Sequence, residues 1–130
     1  MWEEPLTLQR LSLDAGRILL GGYFLAAGIV NLVTPGSIRD HVDRMRGFGT
    51  PWPEAAFWCG IVLQFIGAAL VLAGVRVAIG AWCLIAFTVL ATAIFHRFWQ
   101  RTDPMQKRVA RLLFMANAAI VGGLLLLTSR

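Results

Sequence analysis

Charged side chains are scarce in this chain of 130 residues, of which only 15% are charged. A water-soluble domain carries about 25% charged residues, so the chain has too little charge to coat a surface that faces water. Hydrophobic residues make up 58% of the sequence instead. This balance excludes an ordinary soluble domain and indicates a protein that folds in lipid.

Cysteine and histidine are also scarce, with two residues of each. In the spans predicted below, Cys59 and Cys83 differ in height by roughly 15 Å at 1.5 Å per residue. That separation excludes a disulfide and, with it, a thiol oxidoreductase built on paired cysteines. His41 and His96 form no i, i+4 pair, which is a weak metal or haem signal. We therefore expect no metal site and no intrinsic cofactor.

The sequence contains no phosphate-binding loop, no nucleophile elbow and no pair of acids within an apolar run. The parts of a self-contained enzyme are therefore missing, and we do not expect the chain to be catalytic on its own. The net charge of +5 does not indicate nucleic-acid binding either. The basic residues stand in the connections between apolar runs rather than on one face of a domain.

Four apolar blocks dominate what is present, at about 15–34, 55–75, 77–97 and 109–128. Each is roughly the 20 residues that a helix needs to cross about 30 Å of hydrocarbon. We predict an all-α membrane protein, in which residues 1–130 form a single membrane domain built as an antiparallel bundle of four transmembrane helices. Glu3 and Glu4 stand where a cleaved signal would be basic, so the first span is expected to remain.

The basic residues indicate an orientation for this bundle. Eight of them lie in or beside the first and third connections: Arg39, Arg44, Arg46, Arg97, Arg101, Lys107, Arg108 and Arg111. Four lie on the other side: Arg10, Arg17, Arg76 and Arg130. The positive-inside rule then places both long connections in the cytoplasm and both termini outside.

The connection 35–53 contains a further short helix, predicted at about 37–47. Ile38, Val42 and Met45 recur at i, i+4 and i+7, opposite charged residues, which predicts an amphipathic helix in the membrane interface. Its apolar stripe faces either lipid or the bundle. Ser37, with Asp40 three residues later, is the predicted N-cap.

Polar residues within the spans are expected to face the bundle interior, because they are costly in lipid. We name as the polar seam Asn31, Gln64, Thr88, Thr92, His96 and Asn117. Glycines that share helix faces with them are the candidates for close helix packing: Gly21, Gly28, Gly60, Gly67 and Gly74. The seam has two interpretations, hydrogen bonds that hold helices together or contacts to a ligand such as a quinone.

Two ionisable residues near the ends of spans each have two possible interpretations. His96 is either an interface residue where its helix leaves the membrane or a group that relays protons or binds a quinone carbonyl. Arg17 is either an anchor that extends to the outer surface or an inward-pointing residue, since it shares a face with glycines. Asp14, one turn earlier, is its expected partner.

Several stretches together resemble the DoxX family of small four-span membrane proteins. They are RILLGGYFLAAGIVNL (17–32), QFIGAALVLAGVR (64–76), FTVLATAIFHRFW (87–99) and FMANAAIVGGLLLL (114–127). Gln64 and Asn31 stand where members often carry an acidic residue and a lysine. The resemblance implies a multi-pass protein of the bacterial inner membrane. Some relatives are associated with thiosulfate–quinone oxidoreduction or oxidative-stress complexes, and more distant ones with cargo receptors of the secretory pathway.

We therefore expect a small inner-membrane subunit or accessory protein of a redox system, contacting quinone or a partner through the polar seam. Its expected partners are the lipid bilayer, other membrane or membrane-associated subunits, or further copies of itself. The alternatives are a non-enzymatic membrane scaffold or assembly factor that docks partners on the amphipathic segment 35–53 and on its glycine faces, and a small oligomeric transporter.

Overall fold

The computed structural model describes residues 3–95 and 98–129, and this part of the chain is helical apart from short connections. The helices are α1 (Glu3–Val33), α2 (Ser37–Gly47), α3 (Pro53–Ala73), α4 (Val77–Phe95) and α5 (Pro104–Thr128), with a 3₁₀ turn at Phe98–Gln100. By length and composition, the four longer helices can each cross a membrane, over Thr7–Val33, Pro53–Ala73, Val77–Phe95 and Pro104–Thr128. The all-α prediction with four spans is confirmed.

Two helices begin earlier than the apolar blocks. The apolar blocks begin at about 15 and 109, whereas α1 begins at Glu3 and α5 at Pro104. Hydropathy locates the stretch that lipid surrounds, but the start of a helix depends on its cap. The Asp103 carboxylate accepts a hydrogen bond from the Gln106 backbone N–H at 3.0 Å, and Pro104 occupies the first turn. Both features favour a helix start five residues before the apolar run.

The short helix α2 forms where the periodicity predicts it, but Ser37 does not cap it. Gly36 is the N-cap residue, in a left-handed conformation at φ 78°, and no side chain caps the helix. The Ser37 hydroxyl instead lies 3.3 Å from Nδ1 of His41. Val42 and Met45 are buried against Phe57 of α3 and its neighbours. The apolar stripe of α2 therefore faces the bundle.

α3 is the central helix, since it packs against α1, α2 and α4, while α5 packs mainly on α4. A three-residue turn, 74–76, joins α3 to α4. Gly74 ends α3 at φ 73°, and Val75 N–H donates to Leu70 O at 3.2 Å, as in a Schellman motif. We call this the turn end of the bundle, and the opposite end, which holds α2 and residues 98–103, the α2 end.

Helices α3 and α4 come into backbone contact near the turn end. A Cβ built on Gly67 would lie 3.0 Å from the carbonyl oxygen of Gly80, and one built on Gly80 would lie 2.9 Å from that of Gly67. Around this contact the core is fully buried at Ala68, Val71, Ala81, Leu84 and Leu124. Small residues thus let the helices approach closely, as membrane helix packing requires.

Arg17 points inward at the turn end. Its Nη1 donates to Val71 O and Leu72 O, both at 2.7 Å, which are carbonyls in the last turn of α3. Its Nη2 lies 3.6 Å from the Asp14 carboxylate, so the expected ion pair is confirmed. A cation on these carbonyls complements the negative end of the helix dipole. Arg17 therefore caps α3 from the neighbouring helix.

Candidate functional site

The amide of Gln64 is the most buried polar group at the middle of the bundle. Gln64 lies near the centre of α3 and is only 1% exposed. Its Nε2 donates to the backbone carbonyl of Phe24 on α1 at 2.7 Å. Its Oε1 has no hydrogen-bond partner within the described part of the chain. A buried acceptor left unpaired is costly, so this atom needs an explanation.

Gly28 is what allows this amide to reach α1. A Cβ at position 28 would lie 2.9 Å from Cζ of Phe65 and 3.2 Å from Nε2 of Gln64. The missing side chain therefore opens the space in which Nε2 meets the Phe24 carbonyl. That carbonyl can accept a second hydrogen bond because it carries two lone pairs.

Two cavities meet at Gln64. The larger, of about 400 Å³, lies among α2, α3 and α4, and the smaller, of about 230 Å³, reaches between α1 and α5. Both are lined by the same six residues: Asn31, His41, Gln64, Phe87, Ala91 and Phe95. The walls of the larger cavity are largely apolar and aromatic, and its volume is in the range typical of small-molecule sites. The smaller cavity is more polar, since Arg44, Thr88 and Asn117 also line it.

The structure brings four members of the polar seam to the smaller cavity: Asn31, Gln64, Thr88 and Asn117. Thr88 donates its hydroxyl to Leu84 O of its own helix at 2.7 Å. Asn117 Nδ2 donates to the Thr92 hydroxyl oxygen at 2.9 Å, which ties α5 to α4. Thr92 lines neither cavity. Hydrogen bonds between or within helices therefore engage Thr88, Thr92 and the amide nitrogen of Asn117.

His96, the sixth seam residue, and Arg97 lie outside the described residues. The last described residue of α4 is Phe95, whose ring lines both cavities. Both interpretations of His96, a reactive group or a helix-end residue, therefore stay predictions.

The candidate glycines have different surroundings. A Cβ at Gly21 would lie 2.8 Å from Cγ of Leu72, and those at Gly28 and Gly67 would be as crowded. A Cβ at Gly60 would lie 3.7 Å from the Phe87 ring, an ordinary contact distance. Gly74 lies beyond the last residue of α3 and ends that helix. Close packing is thus built on Gly21, Gly28 and Gly67.

His41 is a site residue that sequence reasoning missed. It lines both cavities, and its ring lies 5.5 Å from that of Phe95 and 5.8 Å from that of Phe57 between ring centroids. Nδ1 lies 2.7 Å from Ser37 O. Since a carbonyl oxygen only accepts hydrogen bonds, Nδ1 carries a proton and is the donor of this bond.

The position of His41 on α2 could have identified it as an inward-facing residue from the sequence. Residues 38, 41, 42 and 45 form an i, i+3, i+4, i+7 stripe, the full inward face of an amphipathic helix. The apolar members alone identify the face, and His41 completes it.

Arginines surround the α2 end of the cavities. The Arg44 guanidinium carbon lies 5.1 Å above the Phe95 ring, and an Arg44 nitrogen lies 3.5 Å from the Asp40 carboxylate. Arg101 Nη2 donates to Phe95 O at 3.0 Å. Phe95 is thus held by one arginine over its ring and another on its carbonyl, the latter at the negative end of α4.

Two observations bear on thiol and metal chemistry at this site. Cys59, which lines the larger cavity, and Cys83 are free thiols. Within residues 3–95 and 98–129, no three His, Cys, Asp or Glu side chains are grouped so that they can hold a metal ion. The chemistry that this site offers is hydrogen bonding within an aromatic, apolar cavity at mid-bundle depth.

Comparison with known proteins supports the family resemblance. Neither curated proteins nor solved structures give a match to this chain. The family model DoxX matches residues 12–97, about two thirds of the sequence. The matched part covers α2, α3, α4 and α1 from residue 12, and it therefore includes the six residues shared by the two cavities; α5 lies beyond it. The chain, a multi-pass membrane protein, belongs to the DoxX family.

Proposed function

We propose that this protein is a small accessory subunit of a redox system in the bacterial inner membrane, and that it binds a lipid-soluble quinone in the two cavities at Gln64. The observation that carries the proposal is the pair of cavities, of about 400 and 230 Å³, both lined by Gln64, whose buried amide oxygen has no partner among the described residues. An apolar, aromatic enclosure with few polar groups suits a quinone ring.

The depth of the site also supports a lipid-soluble ligand. Gln64 is eleven residues from the start of α3 at Pro53 and nine from its end at Ala73. At 1.5 Å per residue it therefore lies about 15 Å from either end, near the bilayer centre. A ligand that enters from lipid can reach this depth without crossing a polar layer.

The orientation is part of the same proposal. We place the α2 end in the cytoplasm and both termini in the periplasm, because the arginines and lysines concentrate at the α2 end. His41 and Arg44 are then at the cytoplasmic mouth of the cavities.

The test is purification of the tagged protein from its own membranes in mild detergent, followed by mass spectrometry and an absorption spectrum. We expect quinone and oxidoreductase subunits to purify with it. A Gln64→Ala, His96→Ala double variant should lower the quinone-linked activity of the host complex. A colourless preparation without quinone, or unchanged activity in the variant, contradicts the proposal.

A membrane scaffold is the second candidate, and the outward face of α5 favours it. Leu112, Met115 and Leu126 are 58%, 60% and 72% exposed there, and a Cβ at Gly122 meets nothing within 4 Å. Gly67 contacts α4 instead, so a change at Gly67 disturbs the fold rather than docking. For a scaffold, Gly122→Leu should weaken complex assembly while Gln64→Ala leaves it intact; the reverse result favours the quinone subunit.

An oligomeric transporter is the remaining alternative from the sequence. It requires a polar path, whereas the larger cavity at Gln64 is lined mainly by apolar side chains. Retained complex assembly together with uptake of a polar solute into proteoliposomes is the outcome that would favour it.

A further inference from the structure

The orientation of the Gln64 amide is fixed by its neighbour. Nε2 lies 2.7 Å from the Phe24 carbonyl oxygen. A flipped amide would place Oε1 against that oxygen, and two acceptors at this distance repel each other. Nε2 is therefore committed to Phe24, and the atom left without a partner among the described residues is Oε1. The amide offers the cavities an acceptor.

His41 offers an acceptor for a parallel reason. Its Nδ1–H donates to Ser37 O at 2.7 Å, so Nε2 is the one ring nitrogen that can accept a hydrogen bond. Gln64 and His41, which line both cavities, thus each present an acceptor, whereas Arg44, which lines only the smaller cavity, is a donor. Asn31, which also lines both, does not discriminate, because its amide can donate and accept.

Quinones and quinols differ in this property. A quinone oxygen only accepts hydrogen bonds, whereas a quinol hydroxyl donates one. A quinone oxygen placed near Oε1 of Gln64 would leave two acceptors facing each other in a buried site. A quinol hydroxyl there would satisfy the acceptor. A site with a buried unpaired group discriminates strongly between ligands that do and do not pair it.

We propose that the cavities at Gln64 take the reduced ring, a quinol, in preference to the quinone, with Oε1 of Gln64 accepting a hydrogen bond from the quinol hydroxyl. The inference rests on the proposed function, since it specifies which redox form of the ligand the same site holds. The subunit would then retain quinol from the lipid pool in preference to quinone.

The experiment measures binding of duroquinol and duroquinone to the full chain in lipid nanodiscs, under anaerobic equilibrium dialysis. Empty nanodiscs serve as the blank for partitioning into lipid. We expect the Kd for duroquinol to be roughly tenfold lower than that for duroquinone, the effect of one buried hydrogen bond. The dimethyl ether of duroquinol, which has no hydroxyl donor, should bind no tighter than duroquinone.

The matched variants are Gln64→Met and Gln9→Met. Gln64→Met removes the acceptor at similar volume, so it should retain duroquinone binding and reduce the preference for duroquinol to less than about twofold. Gln9, exposed near the start of α1, lies away from the cavities, and its variant should keep the tenfold preference. If Gln64→Met does not fold, the dimethyl ether comparison in the wild-type chain decides the result.

The two proposals fail in different ways. Equal binding of duroquinol, its dimethyl ether and duroquinone to the wild-type chain overturns the quinol preference and leaves the quinone subunit standing. An unchanged preference for duroquinol in Gln64→Met also overturns it, because another group must then bind the hydroxyl. Binding of neither ring above the blank overturns the proposed function and the inference together.

Discussion

The two ends of the bundle are packed in opposite ways. Near the turn end, α3 and α4 touch through Gly67 and Gly80, and Ala81 and Leu84 are fully buried beside them. Toward the α2 end, the Phe87 ring of α4 faces Gly60 of α3. A Cβ on Gly60 would still lie 3.7 Å from the Phe87 ring, and cavities of about 400 and 230 Å³ follow.

This difference shows how a small bundle can hold both a stable fold and a ligand site. Cavities and an unpaired amide oxygen lower stability where they occur. Close packing and the Arg17 cap at the turn end offset that loss in the same helices. We therefore expect added volume to be destabilising near the turn end and tolerated near the α2 end.

The largest effect is expected from Gly67→Leu. A Cβ at this position already lies 2.8 Å from Cγ of Leu84 and 3.0 Å from Gly80 O, so α3 and α4 must separate. The free energy of unfolding should fall by about 3 kcal/mol or more, measured by unfolding in mixed micelles. The control is Gly122→Leu, where a Cβ meets nothing within 4 Å. Equal losses in the two variants would contradict the close contact.

The sharpest comparison of the two halves uses one substitution at two positions of α4. Ala81 is 0% exposed, so Ala81→Leu should cost about 2–3 kcal/mol of unfolding free energy through overpacking. Ala91 lines both cavities, so Ala91→Leu should cost less than about 1 kcal/mol and weaken duroquinol binding by filling the space. A larger stability loss at Ala91 than at Ala81 would show that the α2 half is the closely packed one.

Arg17→Met tests the cap at the turn end. The change removes two charged hydrogen bonds, to Val71 O and Leu72 O, from a side chain that is 13% exposed. We expect a loss of about 2 kcal/mol in the free energy of unfolding, with duroquinol binding unchanged. Arg10→Met, at an exposed position on the same helix, is the control. A loss of binding without a loss of stability would place Arg17 in the site instead.

The helical architecture was predictable because it depends on local composition. Four long apolar runs and the i, i+4, i+7 spacing of Ile38, Val42 and Met45 identify the helices without tertiary information. The helix starts were less predictable, since the cap of α5 depends on Asp103 and Pro104 outside the apolar run. The cap of α2 also differs, because a left-handed Gly36 replaces the side-chain cap expected from Ser37.

The site could be predicted only in part, because the sequence of one helix does not determine its distance from the other helices. Placing polar residues on the inward faces suffices to bring Asn31, Gln64 and Asn117 together. The hydrogen bonding of the Gln64 amide could not be predicted in this way, because it depends on a backbone carbonyl of α1 and on the space at Gly28. His41 was missed because the sequence alone does not distinguish a histidine that faces the bundle from one at the membrane interface. The packing of α2 against the bundle makes that distinction.

The smallest expected effect concerns the hydrogen bond between two residues of the polar seam. Asn117 Nδ2 donates to the Thr92 hydroxyl at 2.9 Å, a bond that joins α5 to α4. A double-mutant cycle with Asn117→Leu and Thr92→Val should give a coupling of about 0.6 kcal/mol, the average for such bonds between membrane helices. The measurement is the free energy of unfolding of the four chains in mixed micelles. Because Thr92 lines neither cavity, Thr92→Val should also leave duroquinol binding unchanged. A coupling near zero would contradict the hydrogen bond between α5 and α4, and a loss of binding in Thr92→Val would place Thr92 in the ligand site.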